Sequence, residues 1–173
     1  MKIVLIGYMG SGKSVFGKLL AGETGLSFID LDEEIEKREG VKLQELFRTK
    51  GEIYFRKLEN RVLKEILSSG DSFVMATGGG TPCYGDSMET IKNAPNTTSV
   101  YLKSSVTSLA SRLFPERGFR PLIAHLETME KLQEFIGIHL FERAHFYNRA
   151  DVSVETENKS PEEIVSELKN LLF

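Results

Sequence analysis

The sequence predicts an α/β fold in which a five-stranded parallel sheet is flanked by helices, and three observations carry that reading. Five short runs with strand character, Ile3 to Ile6, Leu26 to Ile29, Ser72 to Ala76, Thr98 to Leu102 and Asp151 to Glu155, alternate with stretches of helical spacing. The first run is apolar and rich in β-branched residues, as suits a strand buried on both faces of a parallel sheet. Immediately after it, Gly7 to Ser14 forms a glycine-rich turn ending in Gly12-Lys13-Ser14, and helical spacing follows at Val15, Phe16, Leu19 and Leu20.

Each element has its own local reason. The first helix runs from about Gly12 to Thr24 and stops at Gly25, a residue that adopts the left-handed conformation freely. The second strand gives out at Asp30-Leu31-Asp32, which places two carboxylates two residues apart. Glu33 to Glu39 is a charged helical segment closed by Gly40. Leu43 to Arg48 is a short helix, and Gly51 breaks it. Glu52 to Leu67 is a long helix expected to turn Ile53, Leu58, Val62, Leu63 and Ile66 inward. The third strand leads into Thr77-Gly78-Gly79-Gly80. Tyr84 to Asn93 reads as helical, and the fourth strand is followed by a helix over Val106 to Leu113. Pro115, Gly118 and Pro121 then break the pattern, so Pro115 to Leu122 reads as a mobile loop. Helix returns over Glu127 to Asn148. After the fifth strand, Ser160 caps a last helix ending near Leu172, with Pro161 at its first position.

Composition narrows the class. A chain of 173 residues suits one domain over 1–173, and no repeat, low-complexity tract or linker divides it. Twenty-two Lys and Arg against 25 Asp and Glu leave −3, so no basic field invites nucleic acid. No apolar run approaches the ~20 residues of a membrane span. The N-terminus reads as a core strand rather than a cleavable signal. The one cysteine, Cys83, rules out an internal disulfide. A cytoplasmic protein is expected. His125, His139 and His145 are scattered and read as structural or surface residues with no metal role.

The turn carries the chemistry. Gly7-Tyr8-Met9-Gly10-Ser11-Gly12-Lys13-Ser14 fits G-x-x-x-x-G-K-[ST] at every position, between a strand and a helix, as a phosphate-binding loop requires. Its glycines let backbone N–H groups converge on an anion, and the following helix adds unsatisfied N–H groups and a positive dipole end. Gly10, Ser11, Gly12, Lys13, Ser14 and Val15 are the candidate ATP contacts. Lys13 can reach the distal phosphates, and the Ser14 hydroxyl can bind Mg²⁺ directly. Ligands of parallel sheets bind beyond the carboxyl ends of the strands. The phosphate loop, Asp30 with Asp32, and Gly78 to Gly80 each follow a strand, so they should meet on one rim. Taken singly, Asp30 and Asp32 read equally well as helix caps, Arg56 and Arg143 as surface arginines, and Gly78 to Gly80 as a flexible turn.

Read together, GYMGSGKS (7–14), FIDLD (28–32), GEIYFRKLE (51–59), TGGGT (77–81), FRPLI (119–123) and ERAHFYNRAD (142–151) resemble the shikimate kinases, small kinases built on a phosphate-binding loop, over essentially the whole chain. The resemblance implies a three-layer P-loop kinase fold with a mobile lid at about 112–126 and a shikimate-binding part at about 32–60. It implies transfer of the γ-phosphoryl group of ATP to the 3-hydroxyl of shikimate. Arg56 and Arg143 would hold the substrate carboxylate, with Glu59 orienting Arg56. Asp32 would hold the ring hydroxyls and align the attacking one. Gly79 and Gly80, with Gly78 before them, would approach the ring through their backbone. Arg120 would be the lid arginine over the transferring group, so Lys13, Asp32 and Arg120 are the catalytic candidates. Arg112 would stack on adenine, with Lys159 near it. Asp30 would hold Mg²⁺ through water. The implied partners are shikimate and ATP, with no nucleic acid or membrane, and the chain is expected to be a monomer. Two departures stand out. The family's R-x-P-L-Y is here Arg143-Ala144-His145-Phe146-Tyr147, with the run to Asp151 one residue short, and Arg112 to Arg120 is one residue long. The alternatives are another small-molecule kinase of this scaffold, such as a gluconate kinase, which would lack the Arg56, Gly79-Gly80 and Arg143 set, and a non-catalytic nucleotide-binding protein.

Overall fold

A computed structural model describes residues 1–173. Five parallel strands, β1 (Lys2–Ile6), β2 (Ser27–Asp30), β3 (Phe73–Ala76), β4 (Thr97–Lys103) and β5 (Val152–Glu155), form one sheet in the order β2-β3-β1-β4-β5. β1 is central and fully buried, pairing with β3 from Lys2↔Phe73 to Leu5↔Ala76 and with β4 from Lys2↔Thr97 to Ile6↔Tyr101. That position explains the unbroken apolar run from Ile3 to Ile6. One core of 25 buried residues includes Val4, Ile6, Leu31, Val62, Met75 and Ile136, while a second of 12 includes Ile3, Leu5, Phe16, Leu20 and Ile164. Alternate residues of β1 therefore feed opposite faces of the sheet.

The helices are α1 (Lys13–Thr24), α2 (Leu31–Glu39), α3 (Leu43–Ser68), α4 (Ser87–Asn93), α5 (Val106–Leu113), α6 (Met129–Tyr147) and α7 (Pro161–Leu172). Gly25 and Gly40 close α1 and α2 in the left-handed conformation, at φ 71° and 69°. A capping box between Ser160 and Glu163 opens α7. No helix is long and apolar enough to cross a membrane.

Four expectations need correction. Helix α2 begins at Leu31 rather than Glu33, so Asp32 rides its first turn. The reason is Asp30, whose side chain caps the backbone N–H groups of Asp32 and Glu33. Ile53 is 77% exposed instead of inward, and Phe55 is buried in its place. Gly51 sits at φ 81°, ψ 172° inside α3 and resets the helical phase there. The buried positions then run Phe55, Leu58, Glu59, Val62, Leu63, Ile66 and Leu67, a set that leaves Ile53 on the outer side. Tyr84 to Asn93 is helical only from Ser87. A 3₁₀ turn over Thr81–Cys83, with Pro82 inside it and Gly85 at φ 56° after it, occupies the approach. Finally, Pro115 to Leu122 is not featureless: a 3₁₀ helix spans Phe114–Phe119, with the Arg117 side chain donating to the Phe114 carbonyl at 2.8 Å and lying over its ring.

Candidate active site

Beyond the carboxyl ends of β1, β2 and β3 lies a cleft of about 730 Å³. Its floor is the loop from β1 into α1. Gly10 and Gly12 have φ 79° and 93°, and a Cβ at Gly12 would stand 2.3 Å from the Phe16 ring, so only glycine fits that turn. Lys13 is buried and donates to the carbonyls of Gly7 and Tyr8 at 2.8 and 2.9 Å. Burial pushes its ammonium down to about 8, with Asp32 and Asp30 pulling it back up and Arg120 and Arg143 adding to the fall.

Asp30 resolves the ambiguity of its position by doing two things with two oxygens. One oxygen, Oδ1, caps α2, while Oδ2 accepts from the Ser14 hydroxyl at 2.7 Å. That leaves a hydroxyl and a carboxylate side by side on the cleft wall, both hard oxygen donors of the kind Mg²⁺ takes. No group of three or more Asp, Glu, His or Cys side chains is gathered here or elsewhere into an all-protein metal cage. The residues fit a metal whose remaining ligands are phosphate and water oxygens. Asp32 also lines the cleft. Burial pushes its carboxyl up to about 6, with the charges of Glu59 and Asp30 adding to the rise and Lys13 and Arg56 opposing it. Above that pH it is a carboxylate facing the lysine of the phosphate loop, competent to accept a proton.

Gly10, Gly12, Lys13, Ser14, Val15, Asp30, Asp32, Gly78, Gly79, Arg112, Arg120 and Lys159 all line this one cleft, from positions spread over most of the chain. Arg112 donates to the Gly10 carbonyl at 3.2 Å. Arg120 is paired with Glu116 at 2.8 Å, and Lys159 with Glu167. Ser11 is buried and turned away from the cleft, its hydroxyl without a partner.

The acid-binding candidates lie beside this cleft. Arg56 and Gly80 do not wall the main cleft, and neither does Arg143. The guanidinium of Arg56 bonds Glu59 at 2.9 Å, stacks 4.0 Å from the centre of the Tyr84 ring, and faces a neighbouring hollow of about 420 Å³. Glu59, only 1% exposed, holds it there while accepting from Thr81 at 2.7 Å with its other oxygen. Gly80 lets the arginine pass: a Cβ would meet Nη2 at 2.6 Å. Arg56 still acts on the main cleft through its charge on Asp32. Gly79 is equally tight, since a Cβ would meet the Met9 amide nitrogen at 3.1 Å. Arg143 is partly buried on α6, its guanidinium carbon 6.0 Å from the centre of the Tyr8 ring. Cys83 lies near Arg143 and Arg56, and burial pushes its thiol up. That is the opposite of an activated nucleophile.

Sequence reasoning missed Tyr84, Glu116 and Tyr147. Tyr147 is fully buried and donates to the Gly79 carbonyl at 2.6 Å. The separation of 68 positions gives no local signal for that bond.

Comparison with known proteins points one way. A family model described as shikimate kinase matches residues 9–172. A shikimate kinase of Flavobacterium johnsoniae is 42% identical over 171 residues, covering 99% of this chain and 98% of that protein. The crystal structure of a shikimate kinase from Bacteroides thetaiotaomicron superposes with a TM-score of 0.89 at 35% identity, over 99% of this chain and 98% of the other. A shikimate kinase from Acinetobacter baumannii, solved in complex with shikimate, superposes with a TM-score of 0.84 at 31% identity, over 99% and 92% of the two chains.

Proposed function

Since the chain belongs to the shikimate kinase family, whose members are ATP-dependent phosphotransferases, we propose that it transfers the γ-phosphoryl group of ATP to the 3-hydroxyl of shikimate. The observation that carries this reading is a buried Lys13 and a half-buried Asp32 lining one cleft, phosphate loop on one side and glycine loop on the other.

The reaction needs little covalent help from the protein. The substrate oxygen bonds to phosphorus as the β,γ bridge breaks, and the hydroxyl proton must leave. Asp32, ionised above about pH 6, aligns that hydroxyl and takes the proton. Lys13 and the loop N–H groups hold the distal phosphates and offset the charge on the departing ADP. Arg120 exchanges Glu116 for the transferring group, bringing a second cation to it. Ser14, directly, and Asp30, through water, would hold Mg²⁺, which would supply positive charge against that of the distal phosphates. Arg56 and Arg143 take the substrate carboxylate, Arg56 turning from Tyr84 while Glu59 keeps its fork oriented. Arg112 and Lys159 serve the nucleoside end. On this reading the chain works as a cytoplasmic monomer on two small anions, in one domain, with no nucleic acid or membrane partner.

A coupled assay of ADP release decides it. Release from ATP should require both Mg²⁺ and shikimate, and gluconate should not replace shikimate. Equal release with gluconate would reassign the substrate, and no release with either acid would favour a nucleotide-binding protein without catalysis.

A further inference from the structure

Helix α6 carries four residues at intervals of four on one face, Phe135, His139, Arg143 and Tyr147. Tyr147, at one end, donates to the carbonyl of Gly79 in the glycine loop at 2.6 Å. Four residues back, Arg143 lies by the Tyr8 ring. One turn further, Nδ1 of His139 is 2.9 Å from the Tyr8 hydroxyl, with the two rings edge to face at 5.5 Å and 87°. Phe135 closes the row, its ring 5.3 Å from that of His139. One face of one helix therefore holds both ligand loops.

The Tyr8 end matters because of what else Tyr8 does. Its side chain is 1% exposed and anchored to α6, while its carbonyl, with that of Gly7, accepts from the Lys13 ammonium. The same carbonyl accepts from the Ser11 amide at 3.2 Å. Gly7, at φ 146°, places no Cβ restraint on the peptide between them. Beyond the packing of its ring, the hydroxyl of Tyr8 ties this residue to α6, and His139 is its partner.

We propose that His139 is a positioning residue of the phosphate loop: through Tyr8 it fixes the two carbonyls that aim Lys13 at the nucleotide phosphates. Burial and the Arg143 charge both favour the neutral imidazole, with Glu142 opposing, and a neutral ring offers Nδ1 as an acceptor for the tyrosine hydroxyl. A hydrogen bond of this kind contributes little to overall stability, yet loss of alignment at a reacting group is felt in rate. The inference rests on the kinase reading for its rate consequence, and on phosphate binding alone for its affinity consequence.

The test has two arms. In the first, calorimetry measures Mg-ADP affinity, with no acceptor present, for the full chain and for His139→Leu, His139→Asn, Tyr8→Phe and the Tyr8→Phe/His139→Leu pair. His139→Leu and Tyr8→Phe should each weaken ADP about fivefold to tenfold, a difference near 1 kcal/mol in the hydrogen-bond range. His139→Asn places an amide oxygen where Nδ1 was and should restore affinity to within about twofold. The paired variant should be no weaker than the worse single one, as expected of two groups sharing one bond. In the second arm, kcat with shikimate should fall about tenfold in His139→Leu while KM for shikimate stays unchanged. Thermal midpoints are followed throughout. A lowered midpoint with unchanged ADP affinity, a His139→Asn variant as weak as His139→Leu, or additive losses in the pair would each overturn the proposal. If the unaltered chain binds Mg-ADP but releases no ADP with shikimate, the substrate reading fails while the first arm still decides the role of His139.

Discussion

Replacing Asp32 with asparagine should make the protein more stable and much less active. The Asp32 carboxylate accepts no hydrogen bond from the protein, and burial together with Glu59 and Asp30 lifts it from an ordinary 3.8 to about 6. The folded chain therefore binds this proton more tightly than the unfolded one. By linkage the stability it lends is whole below about pH 4, drains away as pH rises towards 6, and is gone at neutrality. The full rise corresponds to about 3 kcal/mol, and solvent reaching a half-buried group leaves about 1–2 kcal/mol. Asparagine has nearly the same shape and cannot ionise. Urea denaturation of both proteins should give equal stabilities near pH 4 and a gap of about 1–2 kcal/mol in favour of asparagine at pH 7.5. Titration of other carboxylates is common to the two chains and cancels. The thermal midpoint should rise by roughly 3–6 °C at neutral pH. Turnover should fall by about a hundredfold or more, since an amide oxygen can still accept from the hydroxyl but cannot take its proton. A variant less stable than wild type at pH 7.5, or a gap independent of pH, would show that the electrostatic account of this carboxylate is wrong.

Other expectations follow from the same geometry. Lys13→Ala should lower kcat by orders of magnitude with the fold retained, and near-normal turnover would refute the phosphate role. Because burial brings the Lys13 ammonium to about 8, phosphate binding should draw a proton onto it; calorimetry in buffers of different ionisation heat should find uptake of about half a proton per ADP near pH 8, vanishing by pH 6.5. Arg56→Ala should abolish measurable shikimate saturation while leaving ADP affinity within about twofold, and an unchanged KM for shikimate would remove Arg56 from the acid site. Two glycines of α1 should respond with opposite signs. A Cβ at Gly17 would meet the Phe28 ring at 2.6 Å, so Gly17→Ala should cost about 1–3 kcal/mol in a urea titration, whereas Gly22 has open space and Gly22→Ala should gain about 0.5–1 kcal/mol.

What the sequence shows plainly is what local pattern dictates. β1 is legible because burial on both faces leaves no polar position from Ile3 to Ile6, and the loop after it because glycine, lysine and serine are needed at fixed spacing. Asp30 is legible as a residue of consequence but not as one that caps α2 and bonds Ser14 at once, since both roles follow from where α1 lies relative to β2. Ile53 misleads because it is apolar, yet it stands opposite the row from Phe55 to Leu67 that faces the core. Arg56 is singled out only by the resemblance, and its stacking on Tyr84 depends on a 3₁₀ turn whose path no periodicity encodes. His139 reads in the sequence only as a structural or surface residue, with nothing to point to Tyr8. It stands 131 positions from Tyr8, and only the placement of α6 across the strand ends brings them together.

The joint at Gly51 has an effect on how the chain tolerates change. In an unbroken helix, adding or deleting one residue swings everything downstream by about 100° around the axis. Residues 43–50 are spared that coupling, because the extended glycine between them and Glu52 severs the phase. A residue gained or lost in the outer segment thus leaves the guanidinium one turn past the joint on the same bearing to the sheet.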